Sequence, residues 1–392
     1  MKEGWTYKKL GEICDFRSGF AFKSNKFTKM GEPIIRISDI QNEEIDDSNL
    51  VYFDPKSYTE DLSKYLIYPG DILIAMSGGT TGKLGINTSK RTFYLNQRVG
   101  VFRENKKYLN HRYLFYYLHT KSEESLRIAA GAAQPNLSTA QIKSFIIPVP
   151  PLSEQQSIVD YLDSAFAKID AMKANAEKAL NEAKALFQAS LKEMLEPKEG
   201  WEEKKLGEIC DFRSGFAFKS NKFTESGEPI IRISDIQNEE IDDSNIVYFD
   251  PKSYTEDLSK YIIYPNDILI AMSGGTTGKL GINTSNRTFY LNQRVGVFRE
   301  DKKYLNHRYL FYFLHTKSDE SLKIAAGAAQ PNLSTAQIKS FDIPFPPLSE
   351  QQSIVETLDS LKSKVDCLQE NYTKISQECN ALKQAILRQV FE

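Results

Sequence analysis

The sequence has few of the residues that build metal and disulfide sites. Its 392 residues include four cysteines and four histidines, with no C-x-x-C pair and no mixed Cys/His spacing typical of a zinc site. Cys14 and Cys210 are copies of one position in an internal repeat, and Cys367 and Cys379 lie on one predicted helix. The sequence therefore predicts four reduced thiols and no metal.

Long apolar runs are also missing. No segment approaches the roughly 18 apolar residues of a membrane span, and the opening residues, MKEGWTYKKLGE, contain no apolar core of a secretory signal. We therefore expect a cytoplasmic chain. Its formal net charge of −2 counts against a generic nucleic-acid binder, since such proteins are usually basic. Local basic surfaces that are offset by acidic ones elsewhere fit the same balance.

The common catalytic signatures are absent as well. There is no H-E-x-x-H, no G-x-S-x-G, no set of protein-kinase motifs and no G-x-G-x-x-G that opens a helix. The four histidines fall on two copies of an aromatic-rich helix and are predicted to be surface or core residues: His111, His119, His307 and His315. These absences favour a binding protein. An enzyme with an unrecognised site is an alternative that turnover by the isolated chain would reveal.

One glycine-rich loop is present twice, as SGGTTGKLG at 77–85 and again at 273–281. A nucleotide-binding P-loop needs four residues between its first glycine and a Gly-Lys-Ser/Thr ending. Here three residues separate Gly78 from Gly82, and Lys83 is followed by leucine. The next residues predict a strand, so no helix N-terminus is available for a phosphate. The loop is predicted to be a tight turn between strands, and a turn that approaches a nucleic-acid backbone is the alternative.

The loop belongs to a repeat of 196 residues. Residue i matches residue i+196 along nearly all of 4–164, and 14 of 147 positions differ between 4–150 and 200–346, so that 133 of 147, about 90%, are identical. Two such similar units are expected to share one fold and one ligand. The nearly identical part of each repeat ends in a proline-rich segment, which is IIPVPPLSEQQ at 146–156 and DIPFPPLSEQQ at 342–352. The remainder of each copy keeps a pattern rather than a sequence.

The nearly identical part of each repeat is predicted to be mostly β. Short, β-branched stretches bounded by turn residues predict strands, and in the first copy they are GEPIIRISDI (31–40), IYPGDILIAMS (67–77), KLGINT (83–88) and QRVGVFRE (97–104). Asn110 is placed to cap a helix through HRYLFYYLHTK, and Ser138 to cap a short helix through TAQIKS. This pattern indicates an α+β domain with a curved, loop-rich sheet.

A long helix is predicted after each of these parts. In the first copy, Ser153 and Gln156 have the spacing of a capping box, and no proline or glycine interrupts the chain up to Leu195. About 42 residues at 1.5 Å each give a helix of roughly 60 Å. Apolar residues of the second copy recur in steps of three and four, and subtracting 196 gives the matching positions in the first. The predicted pairing residues are Leu162, Ile169, Met172, Leu186, Leu358, Leu361, Val365, Leu368, Ile375, Leu382 and Ile386.

We call the inward-facing row of apolar residues on each long helix its seam. The side chains of the seam are mostly small in the first helix, where alanines dominate, and large in the second. We therefore expect the two helices to pair with each other in an antiparallel coiled coil. Packing of each helix on its own domain and association of whole chains are the alternatives. The predicted fold class is α+β, with two loop-rich, mostly-β domains separated by two long helices and related by a pseudo-twofold axis. The predicted boundaries are 1–150 and 198–346 for the domains, and 151–197 and 347–392 for the helices.

These motifs together resemble the specificity subunits of type I restriction–modification systems. PPLSEQQ begins each long helix, at 150–156 and 346–352, and a W-x-x-x-x-LGE-I opening runs from Trp5 to Ile13. SGFAFKS at 18–24, AAQPNLS at 132–138 and the turn before the K-x-G-I strand also match. Each short motif is weak alone. The combination is specific because it covers the whole chain in the family's order.

The resemblance implies a non-catalytic DNA reader. Each domain would be a target-recognition domain that reads one half of a bipartite DNA target. The helices would set the gap between the halves and dock two methylation subunits. Those subunits would bind S-adenosylmethionine and methylate adenine, and a translocase–nuclease subunit, where one exists, would use ATP with Mg. The expected partners of this chain are therefore double-stranded DNA and these subunits, with no membrane and no cofactor of its own.

The near identity of the two repeats adds one expectation. Recognition domains within such a subunit generally differ, so their half-sites differ. Two nearly identical readers in a twofold arrangement should read an inverted repeat, and we therefore expect a palindromic bipartite target. A structural scaffold without a DNA role is the competing hypothesis. It would explain the repeat and the helices but not the family-specific motifs.

Polar and basic loop clusters are the candidates for DNA contact, because base edges and phosphates are bound mainly by such side chains. In the first domain they are Lys23, Ser24, Asn25, Lys26, Arg36, Ser38, Gln41, Asn42, Ser77, Thr80, Thr81, Lys83, Asn96, Gln97 and Arg98. In the second they are Lys219, Ser220, Asn221, Lys222, Arg232, Ser234, Gln237, Asn238, Ser273, Thr276, Thr277, Lys279, Asn292, Gln293 and Arg294. Turn or strand-edge chemistry is the alternative explanation of each cluster. Gln134 and Asn136 are predicted to close the fold instead.

Overall fold

The computed structural model describes residues 4–130, 136–326 and 332–392, apart from the side chains of residues 319 and 326. The chain divides into two compact units, one of Met1–Ala176 with Tyr372–Glu392 and one of Glu177–Asn371. Each unit therefore holds one domain, the start of the long helix that follows it, and the end of the other long helix. The predicted boundaries at 150, 197 and 346 are not the boundaries of these compact units.

The strands of the first unit form three sheets. A six-stranded sheet has the order β2-β12-β9-β10-β6-β5, a five-stranded sheet has the order β3-β7-β4-β11-β8, and β1 pairs with β13 alone. The strands are β1 Thr6–Lys9, β2 Cys14–Ser18, β3 Phe27–Thr28, β4 Glu32–Ile35, β5 Ile40–Gln41, β6 Glu44–Ile45, β7 Val51–Phe53, β8 Leu66–Ile67, β9 Ile72–Ala75, β10 Leu84–Ile86, β11 Phe93–Leu95, β12 Val99–Glu104 and β13 Ile146–Val149.

The strands of the second unit repeat this topology, with orders β15-β25-β22-β23-β19-β18, β16-β20-β17-β24-β21 and β14-β26. They are β14 Glu202–Lys205, β15 Cys210–Ser214, β16 Phe223–Thr224, β17 Glu228–Ile231, β18 Ile236–Gln237, β19 Glu239–Ile241, β20 Val247–Phe249, β21 Ile262–Ile263, β22 Ile268–Ala271, β23 Leu280–Ile282, β24 Phe289–Leu291, β25 Val295–Glu300 and β26 Asp342–Phe345.

Short helices accompany the sheets, and two long helices follow the domains. The helices are α1 Leu10–Ile13, α2 His111–Thr120, α3 Ser122–Ala130, α4 Thr139–Lys143, α5 Leu152–Met194, α6 Leu206–Ile209, α7 His307–Thr316, α8 Ser318–Ala326, α9 Thr335–Lys339 and α10 Leu348–Phe391. Two sheet-rich domains and two long helices confirm the predicted fold class.

The central strand β9 of the six-stranded sheet is buried on both faces, and its successive side chains point to opposite faces. In β9, Ile72 and Ile74 pack in the same cluster as the aromatic residues of α2. The intervening Leu73 and Ala75 pack with Ile35 and the rest of the cluster that lies between the two larger sheets. This explains why the predicted strand 67–77 contains a continuous apolar run.

The two predicted helix caps in the first domain are confirmed. The Asn110 side chain accepts a hydrogen bond from the Tyr113 backbone N–H at 3.1 Å. Ser138 and Gln141 form a reciprocal capping box at the start of α4. Both caps satisfy backbone donors that a helix leaves unpaired in its first turn.

The predicted cap of α5 is wrong. The helix begins at Leu152, so Ser153 lies inside its first turn. The start is instead held by Gln155, which is fully buried. Its amide nitrogen donates to the carbonyls of Tyr108 and Pro150, and its amide oxygen accepts from the backbone N–H of Asn110. The PPLSEQQ motif therefore locks the long helix onto the domain, and Gln351 makes the same three bonds in the second unit.

The long helices run antiparallel within the first unit. Phe166 lies beside Lys383, and the backbone oxygen of Ile169 lies 3.8 Å from Cys379 Sγ, so residue numbers rise along α5 as they fall along α10. In the second unit, Lys184 of α5 donates to Gln369 of α10 at 2.6 Å. Antiparallel pairing agrees with the prediction from the small and large seams.

The predicted seam is displaced by one residue at every second position of α5. Met172 and Leu186 are 60% and 59% exposed, and Leu382 of α10 is 48% exposed. The neighbouring Lys173, Phe187 and Lys383 are turned inward. The prediction for α5 rests on subtracting 196 from the positions in α10. The buried Leu180 and Phe187 show that the inward-facing residues of α5 are instead spaced first by four residues and then by three. The other predicted pairing residues are buried or half-buried: Leu162, Ile169, Leu358, Leu361, Val365, Leu368, Ile375 and Ile386.

Each domain core is completed by the end of the long helix that arrives from the other repeat. Leu387 and Phe391 of α10 join the core of the first unit, where Phe391 contacts Tyr113 at 5.1 Å between ring centroids. Phe187, Leu191 and Leu195 join the core of the second unit. The long helices are therefore built into both domains.

Candidate nucleic-acid interface

Four loops of each domain meet at one edge of the sheets. Strands β2, β4, β9 and β11 end at this edge, and β12 begins there. The last residue of β2, Ser18, pairs with Gly100 of β12, and the last residue of β9, Ala75, pairs with Val99. The parallel strands β4 and β11 end side by side. We name this surface the loop edge; it comprises 19–26, 36–39, 76–83 and 96–98, and 215–222, 232–235, 272–279 and 292–294.

Backbone hydrogen bonds hold these loops together. The N–H of Phe20 donates to Leu95 and that of Gln97 donates back to Phe20, both at 2.8 Å. The N–H of Met76 donates to Arg98 at 2.8 Å, and that of Asn96 donates to Ile35 at 3.2 Å. The structure therefore brings together clusters that lie far apart in the sequence.

Gly19 permits the close approach of two of these loops. A Cβ at this position would lie 2.1 Å from the Leu95 carbonyl oxygen and 2.3 Å from that of Asn96. Real Cβ atoms do not approach backbone oxygens this closely. Gly215 is in the same situation in the second domain. Glycine is therefore required at both positions by the packing of the loop edge.

The duplicated SGGTTG loop forms a short 3₁₀ turn between β9 and β10, as the sequence predicts. Gly78 and Gly82 have positive φ, at 71° and 86°, a conformation that favours glycine. The Thr81 hydroxyl donates to the Gly78 carbonyl at 2.7 Å. Ser77 is buried in a bridge with Asn136.

Two predicted contacts in this loop are therefore buried inside it. Ser77 and Thr81 are 4% and 5% exposed, so neither side chain is on the surface. Ser273 and Thr277 are buried likewise. Thr80 is half-buried and Lys83 is exposed. The expectation that Asn136 helps to close the fold agrees with its bridge, whereas Gln134 lies outside the described residues.

Arg36 and Ser38 are engaged with a buried carboxylate. The Arg36 guanidinium lies 3.1 Å from Asp39 Oδ1 and also donates to the Asn49 carbonyl. The Ser38 hydroxyl donates to the same carboxylate oxygen at 2.7 Å. Arg232, Ser234 and Asp235 repeat this arrangement. These side chains shape the turn after β4 and have little freedom to reach a ligand.

Gln41 and Asn42 belong to a different surface. They lie in the β5–β6 hairpin, where Asn42 and Glu43 both have positive φ. Asn42 lines a cavity of about 410 Å³ together with Arg112, Asp163 and Lys383. This predicted cluster is thus divided, since Arg36 and Ser38 lie on the loop edge and Asn42 faces the long helices. Gln237 and Asn238 occupy the equivalent hairpin in the second unit.

The remaining polar residues of the loop edge lie at its surface. Lys26 bonds the Ser57 carbonyl and lies 4.1 Å from the Tyr58 ring centroid, so its charge is held against the domain. Asn96 is half-buried in the bridge to Phe20. The exposed members of the first domain are Lys23, Ser24, Asn25, Lys83, Gln97 and Arg98. Their copies are Lys219, Ser220, Asn221, Lys279, Gln293 and Arg294, while Lys222, Thr276 and Asn292 are half-buried.

Three exposed cations on each loop edge make no ion pair within the described part of the chain. They are Lys23, Lys83 and Arg98 in the first domain and Lys219, Lys279 and Arg294 in the second. Most arginines elsewhere in the domains are paired, as Arg17 is with Asp15 and Arg103 with Asp71. The loop edge is therefore a local positive surface on a chain with a net charge of −2.

None of the sequence differences between the repeats lies on the loop edge. The 14 differing positions of the first copy are 6, 7, 29, 30, 50, 66, 70, 90, 105, 117, 123, 127, 146 and 149. Four of them fall in the β1–β13 ribbon, on strands Thr6–Lys9 and Ile146–Val149. The two loop edges thus present the same side chains in the same local fold.

A second polar cluster, which the sequence did not predict, joins the domain to α5. The guanidinium of Arg112 donates to Tyr116 at 2.9 Å and to Asp163 at 2.5 Å, and Tyr116 donates to the same carboxylate. His119 lies 3.6 Å from Glu43, and its burial lowers its pKa despite this carboxylate. Arg112 and Tyr116 lie one turn apart on α2, but only the fold brings Asp163 to them and Glu43 to His119.

The cysteines are free thiols. Burial raises the pKa of both Cys14 and Cys210 to about 12, so these two thiols are protonated and unreactive at neutral pH. Within residues 4–130, 136–326 and 332–392, no cluster of three or more metal-ligating side chains is found. In the same ranges, no helix combines the length and the apolar character needed to cross a membrane.

Comparisons with known proteins identify the class. The profile of the type I restriction modification DNA specificity domain matches the chain twice, at residues 2–182 and 198–377. The chain therefore belongs to this family, as its motifs predict. It is similar to the EcoKI specificity subunit of Escherichia coli strain K12, with 25% identity over 422 residues, 100% of this chain and 89% of the relative.

Solved structures show the same fold. A chain from a study of complex assembly in the type I R-M system aligns with a TM-score of 0.77 and 21% identity, over 100% of this chain and 98% of that one. The HsdS subunit from Thermoanaerobacter tengcongensis aligns with a TM-score of 0.58 and 21% identity, over 99% and 97%. These similarities support the architecture of two sheet-rich domains joined by long helices.

Proposed function

We propose that this chain is the non-catalytic DNA-recognition subunit of a type I restriction–modification complex. Each loop edge contacts one half of a bipartite DNA target. The observation that carries this proposal is the set of three exposed cations on each loop edge that make no ion pair in the described part of the chain. Positive side chains without carboxylate partners are free to neutralise phosphates and to release their counterions.

The loop edge also offers groups for base reading. Gln97, Ser24 and Asn25 are exposed beside the cations, and amide and hydroxyl side chains bind base edges. Gly79 has open space around its α-carbon, so its backbone can approach a nucleic acid closely. Phosphate contacts from Lys23, Lys83 and Arg98 would position the domain, and these neutral groups would supply specificity.

The identity of the two loop edges favours a palindromic target. Two readers with the same side chains bind the same half-site, and a twofold arrangement would place the second half-site on the opposite strand. The target would then consist of a half-site, a fixed gap and the reverse complement of the half-site. Membership of the family and the absence of differences on the loop edge support this reading.

The partners follow from the family and not from this chain's own chemistry. The long helices would dock two methylation subunits, which bind S-adenosylmethionine and methylate adenine. A translocase–nuclease subunit, where one exists, would bind ATP and Mg. The assembly would act on DNA in the cytoplasm. The α5 and α10 residues between the domains would set the gap.

Charge removal at the loop edge tests the proposal. In the assembled methylation complex, the K83A/K279A and R98A/R294A variants should each bind target DNA about tenfold or more weakly, and each should lower the salt slope by about two, one for each lost phosphate contact. Titration of labelled duplex at several salt concentrations measures both quantities.

The matched control is K106A/K302A. These lysines are exposed and follow β12 and β25, at the end of the strand opposite the loop edge. The intervening strand separates them from Arg98 or Arg294 by roughly 20 Å. The control should bind like the parent complex. Unchanged binding by the loop-edge variants, with a loss in the control, would place the DNA surface elsewhere.

A further inference from the structure

The two units contain a phenylalanine and a lysine in equivalent places, but the long helices contribute them in opposite order. In the first unit, Phe166 of α5 contacts Tyr116 at 5.4 Å between ring centroids, and Lys383 of α10 lies 5.2 Å from the Phe166 ring. Position 166 corresponds to Lys362, and position 383 corresponds to Phe187. The repeat therefore exchanges these residues between α5 and α10.

The second unit keeps the aromatic contact of the exchanged pair. Phe187, now from α5 as the arriving helix, contacts Tyr312 at 6.2 Å between ring centroids. Lys362 of α10 lies 3.1 Å from Asp366 and 3.6 Å from Glu239. Each unit therefore places one aromatic ring against the tyrosine of α2 or α7.

The acidic partner of each lysine occupies the same position in both repeats. Lys383 lies 2.6 Å from Asp170 across the helix pair, and Lys362 lies near Asp366 within α10. Asp170 and Asp366 are 196 residues apart. Each unit therefore has one lysine for this aspartate, although the lysine comes from a different position of the repeat.

As a result, the two helices carry complementary sets. Helix α5 supplies both phenylalanines and α10 supplies both lysines. If α5 paired with a second α5, each site would hold two phenylalanines and Asp170 would lose the lysine that α10 supplies at position 383. If α10 paired with a second α10, each site would hold two lysines and no phenylalanine to pack against the tyrosine. Charged residues that flank a helix pair select partners in this way.

The sizes of the seam residues also favour the pairing of α5 with α10 over the pairing of like helices. Ala176 and Ala183 of α5 are half-buried, and the corresponding Tyr372 and Cys379 of α10 are larger and also lie inward. Two copies of α5 would place alanine against alanine and leave space unfilled, which costs stability in a packed seam. Two copies of α10 would place large residues against large ones.

We propose that Phe166, Phe187, Lys362 and Lys383 specify the pairing of α5 with α10 and exclude the pairing of either helix with its counterpart in a second copy of the chain. The domains cannot make this distinction, because they are about 90% identical, at 133 of 147 positions. The distinction is therefore made by the helices, which are the parts that diverge. This inference concerns assembly of the chain and does not rest on DNA recognition.

A double-mutant cycle on the full chain tests the complementarity in the first unit. F166K places two lysines at the site, and K383F places two phenylalanines there. Both single variants should unfold at a lower temperature than the parent. F166K/K383F recreates the order found in the second unit, with the introduced lysine on α5 one helical turn before Asp170, and should recover most of the loss. A loss in the double variant equal to the sum of the single losses would overturn the proposal.

A second experiment tests the exclusion of like pairs. In K362F/K383F both helices carry phenylalanine at these positions, so pairing of like helices is no longer opposed. Sedimentation velocity of the full chain should then show more self-association than the parent. The full exchange F166K/F187K/K362F/K383F is the control, since its two helices stay complementary to each other but not to themselves, and it should sediment like the parent. A K362F/K383F variant with parental helicity and a parental sedimentation profile would contradict the proposal.

Discussion

Gly19 shows how a single residue fixes the candidate interface. Its α-carbon lies so close to the Leu95 and Asn96 carbonyls that no side chain fits. These carbonyls belong to the segment that leads into Gln97 and Arg98. A residue larger than glycine would therefore move one loop of the loop edge away from the other.

The G19A/G215A variant should be destabilised by about 1–3 kcal/mol, the usual cost of overpacking at a site whose neighbours cannot move. Chemical denaturation of the full chain measures the change in unfolding free energy. G79A/G275A is the matched control in the same surface, because a Cβ at Gly79 meets no atom within 4 Å. Equal stability of the two variants would show that the loops do not approach as described.

His119 and His315 make stability depend on pH. Burial lowers the pKa of both side chains, while Glu43 and Glu239 act in the opposite direction and Lys383 and Lys362 add to the lowering. Arg308 also lowers the pKa of His315. The unfolded state therefore takes up protons first as the pH falls, so the folded state loses stability below the ordinary histidine pKa of about 6.5.

The parent should lose more unfolding free energy between pH 7.5 and pH 5.5 than the H119Q/H315Q variant does. Urea denaturation at the two pH values measures this difference. The H111Q/H307Q variant is the control. It retains His119 and His315, so its unfolding free energy should depend on pH as that of the parent does. A parental pH dependence in H119Q/H315Q would show that folding does not lower the pKa of these histidines.

Residue types in loops could be predicted from the sequence, but their exposure could not. Lys83 and Ser77 belong to one polar cluster in the sequence, yet one is exposed and the other buried. Arg36 lies three residues before Asp39, but only the fold buries that carboxylate and brings the Asn49 carbonyl to the guanidinium. Contacts between distant segments decide these outcomes, and no local pattern reports them.

The long helices couple the two domains because each helix end completes the other repeat's core. The sequence predicts their existence and antiparallel pairing from the absence of glycine and proline and from the two seams. It does not give the frame of α5, since the alanine-rich seam is nearly uniform over several turns. The position of Phe187 in the core of the second unit decides the frame.

Equal shortening of the two helices should change the DNA target. Deleting 171–177 from α5 and 369–375 from α10 removes one heptad from each and keeps the seam frame. Seven residues at 1.5 Å shorten each helix by about 10 Å, which is roughly three base pairs at 3.4 Å per pair. The gap between the half-sites should shorten accordingly, and sequencing of methylated DNA would show it.

Deletion of the heptad from α5 alone is the control, because it breaks the register between the helices. That variant should be destabilised and should lose methylation. An unchanged gap in a folded variant with both deletions would contradict the role of the helices in setting the distance between half-sites.

At the scale of the whole molecule, the chain carries one reader twice. The loop edges are identical, whereas the differences between the repeats lie in other surfaces and in the long helices. The sequence could predict this duplication and the family, since both depend on patterns that extend along the whole chain. The target bases depend on the geometry of each side chain against DNA, which the sequence does not specify.

The most direct test is to co-express the chain with a methylation subunit of a type I system and to map methylated adenines by single-molecule sequencing. The account predicts a bipartite motif whose second half is the reverse complement of the first, with one adenine methylated in each half. A motif with two unrelated halves would contradict the identity of the two readers. A folded complex that methylates no defined motif would contradict DNA recognition itself.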